Sequence, residues 1–140
     1  MCWYLYAYIN EEAYNDEFFM ICNKFQKSYE KIKDKDLLFI PDIGKGIFFR
    51  LTNHYCDCDT SLGGNDVNNK ELSGYVDWLI ELNKCKNIKY IGILKFWQGS
   101  HYKKPIIPTV IVNICDMDAK YLANIKEDTF YKIQLFKIYN

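Results

Sequence analysis

His54, Cys56 and Cys58 occupy alternate positions in a polar stretch of the chain, His54-Tyr55-Cys56-Asp57-Cys58-Asp59-Thr60. In an extended backbone alternate side chains share a face, so one imidazole and two thiols would project together while Tyr55, Asp57 and Asp59 face the other way. These donor types suit zinc, which takes four ligands at tetrahedral angles. The expected metal ligands are therefore His54, Cys56 and Cys58, with a fourth donor to come from His101, Cys85 or Cys115 elsewhere in the chain.

The same residues support a second chemistry. A thiolate of Cys56 or Cys58 could act as a nucleophile or redox centre, with His54 or His101 moving protons. Asp57 and Asp59 oppose it, because nearby negative charge raises a thiol pKa. A third reading takes the segment as a turn shaped by the aspartates and by Gly63-Gly64, its cysteines ordinary reduced thiols. Cys2 would become an N-terminal nucleophile if Met1 were removed, but a strand-end cysteine is the simpler expectation. Cys22 and Cys115 are expected in the core and Cys85, between lysines, nearer the surface. Gly44-Lys45-Gly46 and Gly63-Gly64-Asn65 lack the phosphate-loop pattern and read as turns.

The elements that must position these residues follow from periodicity. Residues 2–9 alternate as a strand with apolar side chains on both faces, which predicts a central strand. Tyr14, Phe18, Ile21, Cys22, Phe25, Tyr29 and Ile32 form one helical stripe, with Asn10 as the expected cap. A short extended piece at 37–40 and a strand at 47–52 follow, then the loop 53–66. Asn68 or Asn69 can cap a second helix that buries Leu72, Tyr75, Val76, Leu79 and Leu82, with Trp78 beside the stripe and half-buried. Strands at 89–97 and 109–115 are expected to pair as an antiparallel hairpin. A short helix opened by Asp116 or Asp118 leads into a last alternating strand, 129–139. The order β-α-β-loop-α-β-β-α-β predicts one α+β domain over residues 1–140, a mixed or largely antiparallel sheet with helices packed on one face.

Composition narrows the function classes. The 140 residues carry 18 basic and 18 acidic side chains, a formal net charge of zero, which argues against a domain that grips nucleic acid by its phosphates. No uncharged apolar run approaches the roughly 18 residues of a membrane span. The start of the chain lacks the basic region of a secretory signal, so a reducing cytoplasm and free thiols are expected. Lys, Ile, Asn, Tyr and Phe together make up 67 residues against a single arginine, Arg50, a bias towards AT-rich codons that gives the aromatic excess little weight as evidence for stacking on bases or sugars. The expectation is a small cytoplasmic binding or interaction domain for a protein or small-molecule ligand, its loop 54–64 organised by zinc. The alternatives are a cysteine- or metal-dependent hydrolase or redox enzyme using Cys56 or Cys58, and an accessory subunit that needs only surface shape.

Overall fold

The structure, a computed structural model, describes residues 2–32, 45–64, 68–98 and 106–137. Its elements are β1 (Cys2–Asn10), α1 (Asp16–Lys24), β2 (Gly46–Arg50), α2 (Asn69–Asn83), β3 (Tyr90–Gln98), β4 (Thr109–Asn113), α3 (Ala119–Ala123) and β5 (Phe130–Gln134). The five strands form one mixed sheet in the order β2-β1-β3-β5-β4. The α+β reading holds, with the helices on one face.

β1 is central, as its two apolar faces predict. It pairs antiparallel with β3 along nearly its whole length, from Cys2 opposite Gln98 to Ile9 opposite Ile91. On its other side β2 covers only its second half, from Tyr6 opposite Arg50 to Asn10 opposite Gly46. The inward face of β1, Leu5, Ala7 and Ile9, packs in a core with Phe18 and Cys22 of α1, Leu72, Tyr75, Trp78, Leu79 and Leu82 of α2, and Leu122 of α3. Tyr6 and Tyr8 point to the opposite face, where they cluster with Leu94, Phe96, Ile107 and Phe130. Trp78 is fully buried rather than half-buried.

Two local expectations are corrected. The apolar stripe predicts a helix running to Ile32, but α1 stops at Lys24 because Gln26 takes a left-handed φ of 56°. The amides of Gln26 and Lys27 then bond back to the carbonyls of Asn23 and Cys22, a Schellman closure that turns the chain out of the helix. The cap is Asn15, whose side chain accepts from the Phe18 amide, and not Asn10. Asn10 instead ties the end of β1 to the chain entering β3, donating to the Asn87 carbonyl and accepting from the Lys89 amide.

The expected β3–β4 hairpin does not form. β5 lies between them, antiparallel to β3 and parallel to β4. The reason is α3: a strand, a helix and a second strand in succession make a crossover, which returns β5 alongside β4 in the same direction. The extended piece expected at 37–40 lies outside the described residues.

Candidate functional site

β2 ends at Arg50, so the first half of β1 would expose its outer backbone groups. The chain closes this edge in an indirect way. The Leu51 amide still bonds to the Leu5 carbonyl, then residues 52–56 leave the sheet and Asp57 returns to donate its amide to the Trp3 carbonyl at 2.8 Å. The remaining edge donors of β1 are satisfied by side chains: Leu5 N–H by Asp57 Oδ2 at 2.8 Å, and Trp3 N–H by the sulfur of Cys58 at 3.4 Å. The Leu5 donor is buried and demands such a partner, and here a carboxylate and a sulfur stand where a neighbouring strand's carbonyls would be.

Asp57 is the anchor of this arrangement. It is 3% exposed, and it also accepts from Arg50 Nη2 at 3.0 Å and from the Thr52 hydroxyl. The second half of the loop is tied to α2, where Glu71 accepts from the Thr60 hydroxyl and the Ser61 amide. Gly63, at φ 60°, donates its amide to the Leu122 carbonyl, and the buried Lys95 donates to the Gly63 carbonyl at 3.2 Å.

With the loop pinned this way, Cys56 and Cys58 come to lie beside Cys2 at the start of β1. The three sulfurs all lie within 4.8 Å of one another, the only such convergence of three or more His, Cys, Asp or Glu donor atoms among the described residues. All three cysteines are free thiols, Cys2 and Cys56 partly exposed and Cys58 exposed. The backbone N–H of Cys58 and then the thiols of Cys2 and Cys58 hold Cys56 below the usual thiol pKa, while its contact with Cys56 and partial burial push Cys2 above it. Cys56 is the sulfur prepared to carry negative charge.

The alternation in the sequence therefore finds two of the three converging donors. His54 does not join them: its side chain is 76% exposed and its Nδ1 is turned to Asp57 Oδ1 at 3.8 Å. The segment bends at His54 and Tyr55 instead of staying extended, which breaks the alternation at its first member. Neither Cys85 nor Cys115 supplies a further donor. Cys85 is buried at the end of α2, where its thiol faces the Glu81 carbonyl, and Cys115 is exposed beyond β4 at the far edge of the sheet, the reverse of their expected burial. His101 lies outside the described residues. Cys2 is the residue that spacing misses, because 54 positions separate it from Cys56; its only local sign is its place at the head of a central strand.

Beside the cluster runs a cleft of about 520 Å³ between the loop and α2, whose lining includes Lys27, Thr52, His54, Cys56, Asp59 and Glu71. Cys56 belongs to both the cleft wall and the thiol group. The Lys27 ammonium lies 3.6 Å from the centre of the Tyr75 ring, a cation–π contact. No protein-family model, curated protein or solved structure matches the chain. Fold and site together define a mixed-sheet α+β protein with a three-thiol group that could hold a metal ion. No helix among the described residues is long and apolar enough to cross a membrane.

Proposed function

We propose that this protein is a small cytoplasmic binding domain whose loop 54–64 is organised by zinc held on Cys2, Cys56 and Cys58. The convergence of the three sulfurs within 4.8 Å carries the reading. Zinc bonded to sulfur at about 2.3 Å brings thiolates to about 3.8 Å from one another, so small side-chain adjustments would close the group on the ion. The N–H bonds from Trp3 to Cys58 and from Cys58 to Cys56 support it, since they favour thiolate sulfur as outer hydrogen bonds do in metal centres. Free thiols fit a reducing compartment, and the balanced charge fits a protein or small-molecule ligand better than a nucleic acid.

The test is elemental analysis of protein purified without chelator or affinity metal, beside the Cys2→Ser and Cys56→Ser variants. About one zinc per chain, lost in both variants, is expected. Metal-free protein that also fails to take up added zinc overturns the reading.

A second reading, a thiol-based enzyme or redox centre, is favoured by the contact between Cys2 and Cys56 and by the lowered pKa of Cys56. It predicts that iodoacetamide labels Cys56 first, at a pH where Cys2 is still protonated, and that buried Cys22 and Cys85 resist. Peptide mapping after brief alkylation reads the order directly, and equal labelling of Cys56 and an unfolded-state thiol removes this reading.

A further inference from the structure

We propose that the metal centre keeps one coordination position open and that this position, reached from the cleft at Cys56, takes the sulfur of an exogenous thiol. The inference rests on the zinc reading and adds a ligand class to it. Among the described residues no fourth His, Cys, Asp or Glu donor joins the three sulfurs within 4.8 Å: His54 turns to Asp57, and the Asp57 carboxylate is occupied by Leu5, Arg50 and Thr52. Zinc prefers four ligands, and a site with three protein donors holds a water or substrate in the last position.

The position would border usable space. Cys56 lines the cleft of about 520 Å³ while Cys2 and Cys58 do not, so an ion held by the three sulfurs would meet the cleft through Cys56. Sulfur is the favoured incoming atom for two reasons. Three thiolates over-neutralise a divalent ion, so a bound water stays neutral and leaves readily, and the soft environment prefers a further soft donor. The nearest cation is Lys95, a buried ammonium that interacts electrostatically with Glu127 and, less strongly, with Cys58. In the exchange the zinc–oxygen bond to water breaks, a zinc–sulfur bond forms, and the thiol proton passes to bulk water, with no change of oxidation state.

Cobalt(II) as a spectroscopic replacement for zinc separates the outcomes. Cobalt-loaded wild-type protein should show thiolate-to-cobalt absorption, and 2-mercaptoethanol should raise it by about one third as three sulfurs become four. Ethanol at the same concentration should leave it unchanged. Absence of any cobalt–thiolate band defeats the zinc reading itself. A cobalt–thiolate band that does not respond to 2-mercaptoethanol leaves the metal site standing and overturns the open position. A ligand-field spectrum altered by His54→Ala or His101→Ala likewise overturns it, because a histidine then fills the fourth position.

Discussion

Asp57 is more consequential than the cysteines on either side of it. Its carboxylate is the meeting point of the Leu5 amide, Arg50 and Thr52, and its burial is tolerable only because each of these donates to it. Asp57→Ala leaves the Leu5 amide unsatisfied and the partly buried Arg50 guanidinium, 21% exposed, without its carboxylate. A loss of about 3 kcal/mol in urea-induced unfolding is expected, with Asp57→Asn intermediate because an amide oxygen can still accept from Leu5. On the proposed zinc reading the same variant should also lower zinc uptake measured by elemental analysis, since Asp57 holds Cys56 and Cys58 against Cys2. Unchanged stability in Asp57→Ala would show that the edge of β1 finds other partners.

Among the elements, α2 decides where the loop ends. Asn68 accepts from the amides of both Lys70 and Glu71, and Glu71 in the first turn then grips Thr60 and Ser61. One cap thus serves both the helix and the loop that carries the thiols. Asn68→Ala should cost about 1 kcal/mol of stability, measured by denaturant titration, and Asn68→Asp should restore most of it. An equal loss in both variants would assign Asn68 a role other than capping. The start of α2 is readable from composition, as a polar cap followed by apolar residues at helical spacing. The end of α1 is not, because its apolar stripe continues past the residue that breaks the helix: Tyr29 and Ile32 keep the period while Gln26 has already turned the chain away.

At the scale of the molecule, the buried thiols make stability sensitive to alkali. Burial pushes Cys22 and Cys85 up to about 12, against an ordinary value of 9.0. A folded-state pKa above the unfolded one means that the native protein holds protons the unfolded chain would release. Their contribution is whole below pH 9 and is lost as pH rises towards 12, at about 1.4 kcal/mol per pH unit for each thiol. Unfolding free energies should change little between pH 8 and 9 and approach this slope between pH 10 and 11, and Cys22→Ala with Cys85→Ala should flatten it. A slope that survives both substitutions would assign the loss to buried tyrosines such as Tyr8 and Tyr75, whose pKa values are also raised by burial.

The sequence alone determined whatever depends on neighbours along the chain. Alternating and helical periods located β1, β2, α2, β3, β4 and β5 and the α+β class, and the Cys56-x-Cys58 spacing found two of the three converging sulfurs. Those signals are local: a strand's faces repeat every second residue, and a helix's apolar stripe recurs every three to four. Tertiary structure decided the rest. It placed β5 between β3 and β4, because strand order follows from how α3 packs. It turned His54 away from the sulfurs, because a bend in the loop ended the alternation. It brought Cys2 to the site because an uncovered strand edge needs hydrogen-bond partners, and the loop that supplies them carries the other two thiols.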